Sequence, residues 1–140
     1  MEELTGQLVL VHPDLIQDPV SRQGQVGVIA MADLKSDTIT VGFGGSPLGR
    51  YSADALLVLK EKNELYRDIM HDPKSLEADT FKQLLKINML QENPGYGNIS
   101  DALKIVAGQK ELIEHSMISL ENHIAKHYGM DTSAQASMGR

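Results

Sequence analysis

Three sets of residues in this chain of 140 have types and spacings that chemistry uses. The first is Gly44-Gly45-Ser46-Pro47-Leu48-Gly49-Arg50-Tyr51-Ser52, where Gly44 and Gly49 are spaced like the glycines of a loop that cradles phosphate on its amides. Such a loop also needs a lysine, a magnesium-binding hydroxyl and a following helix whose first amides face the anion. Arg50 fills the lysine position, Tyr51 fills the hydroxyl position, Pro47 has no amide to donate, and Leu56 to Leu59 reads as strand. The segment is therefore expected to be a glycine-rich hairpin between antiparallel strands.

The second set, Ser52, Asp54 and His12, contains the residue types of a nucleophile, an orienting acid and a base. No strained elbow motif surrounds the serine, and Asp54 is expected to bond nearby amides in a turn. In the third set His123 and His127 are one helical turn apart, with His115 two turns earlier. Zinc normally takes three or more protein ligands, and H-E-x-x-H is absent because Ile124 follows His123. His127 also shares the spacing of Ile113 and Leu120, which suits the boundary of a core. No catalytic set, metal site or cofactor is expected. The candidate binding residues are Arg50 and Tyr51, a cation beside an amphipathic ring, types favoured at binding hot spots. In a strand they point to opposite faces, so at most one anchors a partner while the other leans towards the core.

Short strands and then helices must position these groups. Gln7 to His12 forms a strand that stops at Pro13, and a long irregular loop runs on to Gly24. Gln25 to Ala32 and Thr38 to Phe43 follow, separated by the turn Lys35-Ser36-Asp37, and alternation places Ile39, Val41 and Phe43 on one face. Leu48 to Ser52, a tight turn at Ser52-Ala53-Asp54, and Leu56 to Leu59 complete five strands. Closing so short a sheet into a curved barrel hides its edges. From Lys60 helix formers take over, with i,i+4 pairs Leu65–Ile69 and Tyr66–Met70 on a helix ended by Asp72-Pro73. Asp72 is expected to cap a second helix starting at Pro73, and Asn98 a third. Gly108 separates that helix from the next, and Ile113, Met117, Leu120 and Ile124 carry one apolar stripe on to Tyr128. The expected organisation is a barrel over 1–60, a helical region over 61–128 and a mobile tail over 129–140.

The order of strand, long loop, strand, short turn, strand, glycine hairpin, strand, tight helical turn and strand resembles SH3-like small barrels. Gln23-Gly24-Gln25-Val26-Gly27-Val28-Ile29 resembles the KG-x-x-G-x-V core of KOW-type barrels, in which a glycine lets the strand turn sharply. The likeness covers about residues 5 to 60. It implies an α+β fold: an N-terminal SH3-like five-stranded antiparallel barrel followed by three or four α-helices. The two-part layout is also similar to small bacterial proteins. KOW-type barrels that bind RNA are rich in lysine near that glycine, where this chain has only Arg22, and peptide-binding SH3 domains use several aromatic rings, where this barrel has Phe43 and Tyr51.

Charge narrows the partners further. The net charge is −6, shared equally: residues 1–60 carry four basic against seven acidic groups, and residues 61–140 nine against twelve. An acidic surface in both halves lacks the footprint of a nucleic-acid binder. No apolar run approaches the length of a membrane span, Met1-Glu2-Glu3 is acidic where an export signal is basic, and there is no cysteine to oxidise. A non-enzymatic, cytoplasmic protein–protein interaction module is therefore expected, its partner another protein or a second copy. Two rivals are a KOW-type nucleic-acid or ribosome-associated barrel using Arg22 and Arg50, and a small enzyme using histidine with carboxylates or a metal.

Overall fold

Leu8-Val9-Leu10-Val11 is four consecutive buried apolar residues, the pattern of a strand covered on both faces rather than one. This strand, β1, pairs antiparallel with β2 (Val26–Asp33) and with β5 (Leu56–Leu59). From β2 the chain meanders through β3 (Thr38–Gly42) and β4 (Gly49–Tyr51), all antiparallel. The computed structural model describes residues 4–16, 18, 20–45 and 47–128, and the tail expected over 129–140 lies outside them. Gly44 and Gly45, both with positive φ, stand in the connection between β3 and β4, so the glycine-rich segment joins antiparallel strands.

The sheet is open and six-stranded, in the order β4-β3-β2-β1-β5-β6, so the expected five-stranded closed barrel is not what forms. The α+β class stands. The sixth strand, β6 (Met117–Ser119), falls inside the apolar stripe that spacing alone assigns to helix. Ser116 ends the preceding helix: its buried hydroxyl donates to the Leu112 carbonyl at 2.6 Å, a back-bond that competes with the helical ladder, and its carbonyl accepts from the Lys60 amide at 2.8 Å.

Among the described residues five α-helices follow in place of three or four: α1 (Lys62–His71), α2 (Ala78–Leu90), α3 (Tyr96–Val106), α4 (Lys110–Ser116) and α5 (Leu120–Tyr128). Pro73 does not open α2. It belongs to a separate 3-10 turn, Pro73–Ser75, and α2 starts only after Glu77. Asn98 lies within α3 and donates to the Asn93 carbonyl at 2.8 Å rather than capping the helix. Gly108, at φ 82°, separates α3 from α4.

The chain divides into two units, one made of the residues up to Val58 with those from Ile118 onward, the other of Leu59–Met117. In the first, Val9, Val11, Ile29, Ile39, Val41, Leu56 and Val58 from the strands share a core with Leu120 and Ile124 of α5. In the second, Leu65, Ile69, Leu84, Ile87, Leu103 and Leu112 are buried. Side-chain amides add directional ties there: Asn88 donates to the Lys62 carbonyl at 2.9 Å and Gln91 to the Lys60 carbonyl at 2.8 Å.

Gly27 in β2 has the tightest surroundings of the strand glycines. A Cβ there would collide with the Val41 Cγ1, and would lie 2.8 Å from the Phe43 ring and 3.0 Å from the Gly42 carbonyl oxygen. Gly27→Ala should therefore destabilise the protein by about 2–3 kcal/mol, the size of a packed-core insertion. Equilibrium urea unfolding checks this, with a lowered midpoint at unchanged slope as the expected result.

Candidate functional site

Residues 12–25 leave the sheet after β1 and return to it at β2, and one carboxylate organises the stretch between. Asp18 accepts hydrogen bonds from the Val20 amide at 2.9 Å, the Arg22 amide at 2.9 Å and the Tyr51 hydroxyl at 2.8 Å. The base of the loop is closed by backbone bonds between Val11 and Gly24 and between Val11 and Gln25. Gln23 donates to the Leu15 carbonyl at 3.1 Å, drawing the two limbs together.

Tyr51 and Arg50 part as strand geometry requires. Tyr51 is 4% exposed, its ring edge-on to Phe43 with centroids 6.5 Å apart, whereas Arg50 is exposed. Burial, reinforced by the hydrogen bond to Asp18 and its charge, pushes the Tyr51 phenol well above its ordinary value of 10.0. Arg22 lies with its guanidinium 5.4 Å from the Phe43 ring centroid and donates to the Gln25 side chain at 3.1 Å, while its buried Nε has no hydrogen-bond partner among the described residues.

The second wall comes from the turn between β4 and β5. Ala53–Ala55 forms a single 3-10 turn whose two alanines are buried. It is fixed from two directions: the Ala53 amide donates to the Asp37 carboxylate at 2.9 Å, and the Ala55 carbonyl accepts from the His12 amide at 2.9 Å. In the sequence Asp37 reads only as part of the turn Lys35-Ser36-Asp37, and Asp18 carries no role. Asp18 stands next to a proline in a polar loop, which is a turn signal, but its partner Tyr51 is 33 residues away.

Between the walls opens a groove of 640 Å³ lined by His12, Asp14, Leu15, Ile16, Ser52, Asp54 and Ala55. The three residues Ser52, Asp54 and His12 thus do meet in one place. Their hydrogen bonds, however, do not run as nucleophilic catalysis requires. The Ser52 hydroxyl donates to the Asp54 carboxylate, and the His12 Nδ1 accepts from the Asp14 amide at 3.1 Å. In a triad the imidazole receives the serine proton while its other nitrogen donates to the acid. Here the imidazole nitrogen that would face the acid is already an acceptor. The carboxylate takes the hydroxyl proton's hydrogen bond directly. What the groove offers is hydrogen-bond acceptors, the carboxylates of Asp14 and Asp54, beside the apolar Leu15 and Ile16.

Histidines are distributed rather than gathered. His115 lines a smaller cavity of 290 Å³ inside the Leu59–Met117 unit, with His71, Asp68, Asp72 and Ser75. His123 and His127 lie together on α5, ring centroids 4.4 Å apart. Among the described residues no group of three or more His, Cys, Asp or Glu side chains is placed to hold a metal ion. Among those residues, too, no helix is long and apolar enough to cross a membrane. No family model, curated protein or solved structure matches the chain.

The Tyr51–Asp18 bond gives a test of the loop. Tyr51→Phe removes a buried bond to a carboxylate and should cost about 1.5–3 kcal/mol of stability, read by denaturant unfolding. The raised phenol value has a definite sign: its contribution is complete below the unfolded value near 10 and is lost as pH rises above it. Stability measured from pH 8 to 11 should therefore fall less in the Phe variant than in the parent.

Proposed function

We propose that this protein is a non-enzymatic interaction module that takes a segment of a partner protein into the groove between the 12–25 loop and the 52–55 turn. The observation that carries this reading is Ile16, 92% exposed at a groove whose walls are held by backbone and side-chain bonds. An exposed aliphatic side chain beside a groove gains free energy when apolar surface of a partner covers it. The groove lining contains Asp14 and Asp54 and no lysine or arginine, so the complementary segment carries a basic side chain next to an apolar one.

The hydrogen bonding of Ser52 and His12 supports binding over acyl transfer, because neither group is prepared for its part in proton transfer. Arg50, exposed on the edge strand β4, is a second contact candidate, suited to an acidic or hydrogen-bond-accepting group of the partner outside the groove, while Tyr51 serves the groove indirectly by holding the loop.

Panning a display library of random peptides on the folded protein tests the proposal. Enriched peptides should pair arginine or lysine with an apolar residue and should lose at least about tenfold in affinity on Ile16→Asp, a change of roughly 1.4 kcal/mol. The substitution replaces a side chain with almost no packing of its own, so folding should survive it. Peptides that bind the Asp variant equally well, or a library that yields no specific binder, would remove the groove from the argument.

A further inference from the structure

Leu65 and Ile69 are the buried residues of α1, yet the position after each, Tyr66 and Met70, is also a large apolar side chain, and both are exposed. The same offset recurs on α2. Leu84 and Ile87 are buried, and Phe81, Leu85 and Met89, four residues apart, run along one side of the helix, the first two half-buried and Met89 71% exposed. One ion pair shows that the two rows share a side of the helix pair. Lys62, one turn before Tyr66, meets Glu92, three residues after Met89, at 3.3 Å, and the Asn88 side chain donates to the Lys62 carbonyl at 2.9 Å. The start of α1 thus lies beside the end of α2, the helices run antiparallel, and five apolar side chains make a strip about 12 Å long, two turns of helix.

We infer that this strip is a second interaction surface, the seat of an acidic amphipathic helix of a partner protein. The helical form of the occupant follows from another side of the same pair, where α4 packs against both α1 and α2 and buries Leu112. Two antiparallel helices that accept a short third helix on one side offer the same kind of seat on the other. Phe81 and Leu85 make its floor, and Tyr66, Met70 and Met89 stand above them. Apolar anchors at i, i+3 or i+4 and i+7 of an incoming helix are covered over that length. The two methionines adapt their shape to what they meet.

Charge sets the sign of the partner. Lys82 and Lys86 follow Phe81 and Leu85 by one position, and Arg67 follows Tyr66, so three exposed cations border the strip on its outer sides. Glu92 is paired with Lys62, and Asp79 stands in the first turn of α2, before the row begins. The border is therefore basic in a chain whose net charge is −6. It attracts an acidic helix, whereas a second copy of this chain would set cations against cations. The groove at the 12–25 loop has the opposite requirement, because its lining is acidic. The two surfaces select different segments.

Selection from displayed helical peptides tests the strip, with leucine fixed at i, i+3, i+4 and i+7, the flanking positions varied among glutamate, glutamine and lysine, and the intact chain as bait. Selected peptides should carry glutamate on the flanks and lose at least about tenfold in affinity on Met89→Asp and on the double reversal Lys82→Glu/Lys86→Glu. Changing the glutamates of a selected peptide to lysine should restore its binding to the double reversal, which a misfolded variant would not do. Ile16→Asp should leave these affinities unchanged, separating the strip from the groove. The substituted side chains are exposed, and far-UV circular dichroism checks that each variant keeps its helices. Basic or neutral winners, no specific winner, or a double reversal within about twofold of the parent would overturn the inference. So would self-association of the parent in sedimentation, or binding to RNA, if Met89→Asp abolished it, since the strip would then belong to that occupant.

Discussion

The Asp18 carboxylate is the constraint on which the geometry of the groove depends. A loop as long as residues 12–25 carries more backbone entropy than its few partly buried side chains, Leu15 and Val20, repay by themselves. Asp18 changes that balance because one charged group satisfies two amides and a phenol at once. Charge-assisted bonds of this kind are roughly twice as strong as neutral ones. The phenol it engages is the last residue of β4, immediately before the turn that forms the opposite wall. Loop and turn are therefore positioned by one interaction, and the groove between them has a defined width.

The turn itself illustrates how backbone satisfaction decides side-chain chemistry. His12 and Asp37 take up polar groups at either end of Ala53–Ala55, and the buried alanines leave Ser52 and Asp54 projecting from a rigid base. Residue types suggestive of hydrolysis are in this way assembled without the proton path of a hydrolase. Proximity brings the groups within reach, but the direction of each hydrogen bond determines what they can do. Here the Ser52 hydroxyl is turned to Asp54 and the His12 Nδ1 to the Asp14 amide.

Much of the first unit was legible because its signals are local. Alternation in Thr38–Gly42, the proline after His12 and the paired glycines at 44 and 45 each act within a few residues, and they place β3, the end of β1 and a turn close to where they stand. The division of Arg50 and Tyr51 between surface and interior followed from period two alone. The loop's anchor was not legible, since nothing near Asp18 marks a partner 33 residues further on. The wiring of the serine and histidine was hidden for a related reason: it depends on which nitrogen and which oxygen meet, and residue types do not carry that information.

The sheet departs from the expected closed barrel at both ends of its order: β4 pairs with β3 and ends the sheet on one side, and Met117–Ser119 adds a strand beside β5 on the other. Ile113, Met117, Leu120 and Ile124 keep helical phase across that segment, and a periodicity that continuous argues for a single helix. Yet Met117 is buried within the Leu59–Met117 unit while Leu120 and Ile124 are buried in the core of the sheet. One stripe therefore serves two cores, which a straight helix need not do, and the chain breaks where a serine can turn its hydroxyl back on its own helix and give its carbonyl to Lys60. The residues released, Met117, Ile118 and Ser119, include a β-branched side chain and accept a strand conformation readily. Hydrogen bonding along the sheet edge then outweighs helix continuity over those three residues, and the strand that results extends the open sheet past β5.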